Sequence, residues 1–475
     1  MSVSELRIPT RVKPAAERRR LSGWGRSSWS WCSVVRPKGE EEVLEALAAA
    51  GRQGRRVIAR GAGCSYGDAA LNDGGDVLDM RDLDRIISID PEAMLVRAQA
   101  GATIGALMAR LSAYKLTLPV VPGTRHVTLA GAIASDIHGK NHHRDGAFAR
   151  HVRAMTLCMP AGDRRELTPD SDGELFYATL GGMGLTGVVV EATLQAEPLG
   201  IPWVSAEVDR TESLGQTLEL LSGREEHRYS VAWLDLLAEG PKMGRAIVSR
   251  ADPLEVDTPT PSGRGRGGAR RSYPGALTRS PALEVPRAFP TRILRPGSVR
   301  AFNALHWSAT PRVERERPLA LAPFFFPLDV LGQWNRLYGA QGLTQYQFVI
   351  PTGRESDLEG CFELIRARRI PVYLAVFKRF GPAFGGPLSF PLEGWTLAVD
   401  IPTGAPGLEG ALRELDELVA GCGGRVYLTK DSRLSPEMLQ AMYPELDRFQ
   451  EQRSGIDQGG LLRSDLGERL GLCGV

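Results

Sequence analysis

The sequence predicts an α+β chain in which a mixed α/β N-terminal part gives way to an antiparallel sheet with covering helices. Three observations lead there. Short apolar strands alternate with amphipathic helices as far as residue 198, and beyond Leu199 strand-like runs are spaced by helical pieces. Within this second part lies a break: residues 251–300 hold eight prolines and nine arginines against four acids. The length of 475 residues allows two or three domains at roughly 150 residues each.

The elements follow in order. Glu40 to Gln53 places Val43, Leu44, Leu47 and Ala48 at helical spacing and is closed by Gly51 and Gly54. Arg56 to Arg60 reads as a short buried strand running into Gly61-Ala62-Gly63, and Asp76 to Met80 and Met94 to Ala98 as further strands. Thr103 to Tyr114 carries Leu107, Leu111 and Tyr114 on one helical face; Val152 to Met159 and Leu185 to Leu194 complete the strand set. After Leu199, Trp203 to Val208, Tyr229 to Leu234, Thr344 to Pro351, Val372 to Phe377 and Trp395 to Pro402 are strand-like, with helices near Glu212 to Leu221 and Glu355 to Arg368. The run Pro261 to Arg271 (PSGRGRGGARR) cannot hold regular structure well and reads as a flexible loop, or else as a patch for nucleic acid or lipid.

Composition narrows the function. The 58 basic against 56 acidic side chains leave a net charge of +2, which argues against a dedicated nucleic-acid binder. The basic N-terminus lacks an apolar stretch of the signal type, and the longest apolar run, Pro318 to Gly332, is short and broken by prolines. Six scattered cysteines form no CxxC pair, so neither a disulfide framework nor a zinc site is expected. These features describe a soluble, cytoplasmic chain.

Three motifs carry chemistry. Arg60 to Asp68 (RGAGCSYGD) follows a strand directly, and its glycines allow positive φ and close approach of backbone N–H groups to a phosphate; an ordinary Gly-rich turn is the alternative. It is neither the dinucleotide fingerprint nor a P-loop. Pro122 to Gly139 is thin, with Gly131, Ala132, Ala134 and Ser135, which suits either a flat ligand or tight helix packing. Five of the seven histidines, His126, His138, His142, His143 and His151, crowd into residues 126–151. His138 and His142 have the i, i+4 spacing of a metal pair, but Gly139 and Asn141 break the helix it would need, so no metal is expected.

Arg60 to Asp68, Pro122 to Thr128, Ser135 to His143 (SDIHGKNHH) and Gly184 to Gly187 together resemble the vanillyl-alcohol-oxidase type of FAD-dependent oxidoreductase. IHGKNHH, TQYQFVIP, PLSFP and LTKDSR resemble one branch of it, which oxidises the C2 hydroxyl of a polyprenylphosphoryl-β-D-ribose to the 2-keto sugar, the first half of an epimerisation to arabinose. The likeness runs from about Leu21 to Leu470. It implies a two-domain fold: a FAD-binding domain over 1–198, an antiparallel-sheet substrate domain over 199–424 with a flexible loop near 251–300, and a return to the first domain over 425–475.

The resemblance also implies roles. Arg60, Gly61, Gly63, Cys64, Ser65, Tyr66 and Gly67 would form the pyrophosphate loop, and Gly123 and Thr124 would flank the flavin. Thr128 and Gly131 would touch the ribityl and pyrophosphate, and Val189 would lie by the adenine. Ser135, His138, Gly139, Lys140 and Asn141 would border the isoalloxazine and substrate. Lys430, with Tyr427 alongside, would approach the flavin pyrimidine edge and stabilise charge developing there, while Tyr66, His138 and Lys140 are unranked candidates to orient or deprotonate the sugar hydroxyl. Trp233, Gln345, Gln347 and Lys378 would line the substrate cavity. Some relatives attach flavin through a His where this chain has Cys64, so FAD is expected to be non-covalent; others carry a Cys attacked by nitroaromatic inhibitors where this chain has Ala398, so no such adduct is expected. Implied partners are a lipid-linked or free sugar, a short-chain reductase, and quinone or oxygen as electron acceptor, with peripheral contact at a membrane. Two alternatives stand: an oxidase of a soluble sugar, alditol or glycoside, and a flavoprotein-like scaffold without redox chemistry.

Overall fold

The computed structural model describes residues 16–222, 227–238, 240–255, 283–287, 289 and 294–473. Three sheets organise it. The first, ordered Glu17–Ser22, Trp29–Val35, Asp76–Asp79, Val57–Arg60, is antiparallel at its first pair and parallel beyond. The second is antiparallel throughout, in the order Ile86–Asp90, Leu95–Gln99, Val188–Gln195, Val152–Cys158, Arg164–Leu167. Helix Glu40–Arg52 buries Val43 and Leu47 in a core shared with Val57, Leu78, Val188 and Val190, so both sheets pack about it. Helix Ile104–Ser112, capped by Thr103, buries Leu107 and Leu111 against the second sheet.

The third sheet has eight antiparallel strands, ordered Val313–Ala320, Trp203–Thr211, Ala246–Pro253, Tyr229–Leu234, Leu374–Phe380, Gly394–Pro402, Leu343–Pro351, Arg425–Val426. Its two faces differ. Tyr346, Phe348, Ile350, Leu397, Val399, Ile401 and Phe377 form one face, buried against Leu358 and Ile365 of helix Glu355–Ala367 and Leu412 and Leu415 of helix Leu408–Gly421. Because side chains alternate along a strand and cross-strand partners share a face, the other face collects Gln345, Gln347, Thr396, Ala398, Asp400, Val376, Lys378 and Trp233. That polar face is the floor of the candidate site.

Several elements differ from the sequence expectation. Glu17–Ser22 (ERRRLS) and Trp29–Val35 pair as strands although the first is mostly charged; guanidinium–indole stacking of Arg20 on Trp29 and Arg18 on Trp31 covers their outer face. The segment expected as a loop over 251–300 is structured at its margins: strand Ala246–Pro253 extends into it and helix Pro296–Ala309 begins within it. Its centre, Pro261 to Arg271, lies outside the described residues. The apolar run at Pro318 divides between the end of strand Val313–Ala320 and the short helix Leu321–Phe325. Among the described residues no helix is long and apolar enough to cross a membrane.

Candidate active site

The site is assembled by one turn. Tyr427, just after the strand Arg425–Val426, donates its N–H to the Gln347 carbonyl (2.9 Å), fixing the turn to the polar sheet. The Tyr427 hydroxyl donates to the Ser135 carbonyl at 2.8 Å, which ties in the small-residue helix Leu129–Ala134. Tyr66 N–H donates to the Thr429 carbonyl at 3.0 Å, which ties in the glycine-rich loop. Lys430, next in line, is thereby held with its Nζ 3.9 Å from the centre of the Tyr66 ring.

The glycines of the loop are required by its neighbours. A Cβ on Gly61 would sit 2.1 Å from Thr128 Oγ1, one on Gly67 1.7 Å from the Asp431 carbonyl, and Gly63 has φ +70° beside the Arg60 guanidinium. Arg60 turns back, donating to the carbonyls of Ser22 (2.7 Å) and Ala70 (3.0 Å), so it braces the loop from behind. Ser65 accepts from Trp24 N–H through its carbonyl (2.7 Å). Thr128 caps its helix through Gly131 N–H. By contrast a Cβ on Gly123 would meet none of the described residues within 4 Å; Gly123 is exposed, and the neighbouring Thr124 accepts from His126 N–H. A cavity of about 400 Å³ adjoins Ala62 and Gly63. A loop pressed against its supports on one side, with a cavity open at Ala62 and Gly63, fits a bound dinucleotide. Burial pushes the Cys64 thiol up to about 11, so it is a neutral thiol rather than a nucleophile.

Around His138 the environment is aromatic. Its ring lies 4.8 Å from Phe380, 5.2 Å from Tyr427 and 5.6 Å from Phe390, and burial, then the charges of Lys378, His142 and Lys430, holds its pKa well below the usual imidazole range. Nε2 is 3.0 Å from Gln347 Nε2. Three lysines approach one another here: Lys378 is pushed down to about 7 by burial and by Lys140 and Lys430, Lys140 to about 7 by burial, and Lys430 to about 8 against the pull of Asp400. Lys140 donates to the Phe324 carbonyl and stands 4.2 Å over the Phe324 ring. Asp400 answers Lys430: it is buried, which pushes it up to about 6, accepts from Gln345 and leaves Oδ2 without a partner among the described residues. Tyr66, buried beside Asp400, is held well above its ordinary value, which keeps the phenol protonated.

Tyr66, His138, Lys140, Gln345, Gln347, Lys378, Tyr427 and Lys430 are thus brought together. Trp233 lies on the same sheet face, opposite Val376, its ring 5.0 Å from His306. Three further expected site residues make contacts within the protein. Asn141 is buried and donates to the Pro119 carbonyl (2.8 Å) and to Asp145, so its amide holds the segment's own fold instead of facing a ligand. Gly139 is packed against that amide and Val121. Val189 is buried in the second sheet opposite Leu157. His142 begins the short helix His142–Asp145, so it shares no helix with His138; its Nδ1 accepts from Gly381 N–H and the two rings flank Phe380. Sequence reasoning missed Asp400 and Thr396, although a lone acid inside the apolar run WTLAVDIP was a signal.

A glycine-rich phosphate-type loop, a small-residue helix beside it and a buried lysine at their junction define an FAD-dependent oxidoreductase, and residues 32–168 match the family described as FAD binding domain. The chain is 40% identical, over 99% of its length and all of the relative's, to decaprenylphosphoryl-β-D-ribose oxidase of Mycolicibacterium smegmatis, and it belongs to that protein's family. It is 26% identical, over 92% of its length and 95% of the relative's, to L-gulono-1,4-lactone dehydrogenase of Mycobacterium tuberculosis. To L-gulonolactone oxidase of Bos taurus it is 32% identical over 38% of its length and 40% of the relative's.

Proposed function

We propose that the chain oxidises the C2 hydroxyl of a polyprenylphosphoryl-β-D-ribose to the 2-keto sugar with non-covalent FAD. Bound FAD supplies the hydride acceptor, and the hydroxyl proton passes to Lys140, whose amine burial pushes down to about 7; the rest of the chemistry falls to the chain's other side chains. The observation that carries the reading is that Lys378 stands near both Lys140 and Lys430, with the buried carboxylate of Asp400 beside Lys430. Positive charge therefore gathers about Lys378, and a ligand bearing a phosphodiester would relieve that repulsion. Lys430, held at the Tyr66 ring, would stabilise negative charge on a bound flavin electrostatically. Gln345, Gln347 and Lys378 on the polar sheet face position the sugar, so that the reacting carbon is presented and water is excluded. Residues 1–198 with 425–475 hold the cofactor and 199–424 the sugar. A short-chain reductase consumes the keto product, a quinone or oxygen takes the electrons, and the protein meets its lipid substrate peripherally at a membrane.

The test is anaerobic flavin absorbance with farnesylphosphoryl ribose and with a panel of free sugars, lactones and alditols. Bleaching by the lipid phosphosugar alone is expected; bleaching by a free sugar or lactone moves the chain to the soluble-substrate reading. Lys430→Ala is expected to keep its flavin and fold while bleaching slows by on the order of 100-fold or more, and unchanged bleaching removes Lys430 from the chemistry. Acid or heat denaturation is expected to release all the yellow colour into solution.

A further inference from the structure

His138 sits where a general base for the sugar hydroxyl would be sought, since burial keeps it neutral. The hydrogen bonds around it argue for another role. Thr396 has one hydroxyl proton, and it goes to the Phe348 carbonyl at 2.9 Å. Its oxygen is therefore an acceptor toward Gln347, whose Nε2 lies 3.2 Å away. With one amide proton on Thr396, the second proton of Gln347 Nε2 points at His138 Nε2, 3.0 Å away. An amide N–H facing a ring nitrogen demands a lone pair there. The imidazole proton must then reside on Nδ1, which is buried with no partner among the described residues.

We propose that His138 acts as a neutral hydrogen-bond donor through Nδ1–H, locked in that tautomer by Gln347 and Thr396, and keeps its own proton throughout turnover. Gln347 and Thr396 are positioning residues: they touch His138 and act through it. The orphan donor is satisfied when a ligand oxygen arrives, and a donor that needs no reorganisation is the type of group that stabilises growing negative charge. The neighbourhood keeps the ring from charging. Lys378 reaches it from strand Leu374–Phe380, Lys430 and Tyr427 from the turn after Val426, and His142 from its own segment, with no carboxylate among the groups that shift it. The tautomer is a property of the protein alone; that the donor serves the sugar or the flavin rests on the function proposed above.

Two measurements separate these. In deuterated holoenzyme labelled with 15N-histidine, with the His138 signals assigned by their loss in His138→Asn, Nδ1 is expected as the protonated nitrogen and Nε2 as the bare one. No imidazolium should form on lowering the pH to about 5, well below the ordinary value near 6.5. Thr396→Val should blur the preference into a mixture, and Thr396→Ser should restore it. A proton found on Nε2, or an imidazolium titrating near neutral pH, overturns the proposal whatever the substrate. In the activity arm, His138→Asn places an amide N–H close to the position of Nδ1–H and is expected to keep rates within about 10-fold of wild type, whereas His138→Ala loses on the order of 100-fold or more. Equal, large losses in both, with flavin content unchanged, would make His138 the base and sink the donor role. If the lipid phosphosugar fails to bleach the wild-type flavin, the substrate reading falls and the 15N result still decides the tautomer.

Discussion

Asp136 shows what a single buried charge does to this molecule. It has no solvent exposure, lies two residues before His138 with φ +39°, and accepts from Ala149 N–H at 2.8 Å through Oδ1. Burial pushes its carboxyl from 3.8 up to about 7. The folded side chain therefore keeps its proton to about pH 7, while the unfolded one loses it near 4. Native protein binds more protons between those limits, so this residue's contribution to stability falls as pH rises through that window. The full shift corresponds to on the order of 4 kcal/mol at 1.36 kcal/mol per unit. Asp136→Asn keeps the Oδ1 acceptor and removes the ionisation. Denaturant unfolding at pH 5 should already find the variant more stable by about 1.6 kcal/mol, and at pH 9 by up to the full amount; a gap that does not grow with pH would show that the carboxyl titrates normally.

At the scale of elements, legibility followed the physics of each segment. The strand Leu343–Pro351 and its partner Gly394–Pro402 were readable because one face is wholly apolar, and the substrate side chains expected on them do share the opposite face. The amphipathic helices Glu40–Arg52 and Glu355–Ala367 were readable for the same reason. Strand Glu17–Ser22 was not, because its pairing partner and stacked tryptophans stabilise it and its own residues give no pattern. The site was half legible: Lys430 and His138 stood in recognisable strings, but Thr396 and Asp400 act only through register, which a sequence does not display. Register also separates two glycines that look alike in sequence. Gly67→Ala would drive a methyl to 1.7 Å from the Asp431 carbonyl, whereas Gly123→Ala meets none of the described residues within 4 Å. Gly67→Ala is expected to lower the melting temperature and the flavin content together. Gly123→Ala should melt like wild type when stripped of flavin, yet bind FAD more weakly if the open space belongs to the cofactor. Isothermal titration of both apoproteins with FAD checks the pair, and unaltered affinity in Gly123→Ala would remove Gly123 from the flavin site.

Across the whole molecule, the last fifty residues close the structure. Strand Arg425–Val426 completes the eight-stranded sheet, and the chain then crosses to the first sheet, where Leu461 accepts from Val57 N–H (2.8 Å) and Arg463 N–H donates to the Val57 carbonyl (2.9 Å). Asp465 accepts from Ser30 and from Asp73 N–H. Just beyond these anchors Arg469 spans both loops of the candidate site: it pairs with Asp68 at the end of the glycine-rich loop (2.9 Å) and with Asp431 beside Lys430 (2.9 Å), and donates to the Leu434 carbonyl (2.7 Å). Asp68 and Asp431 are both buried, so removing their shared partner strands two carboxylates away from water. Losses of about 3–5 kcal/mol are typical when one partner of a buried pair is deleted. Arg469→Met, close in volume but uncharged, is expected to destabilise by that order and to loosen FAD. Arg469→Lys, which keeps the charge but not the fork that reaches both acids, should fall between. The two loops move apart if the clamp is what joins them, so flavin release should track the loss of stability across the series. Equal stability with lost flavin would mean that Arg469 acts on the loops alone, and lost stability with flavin retained would mean that the sheets, rather than this arginine, hold the halves of the site in register.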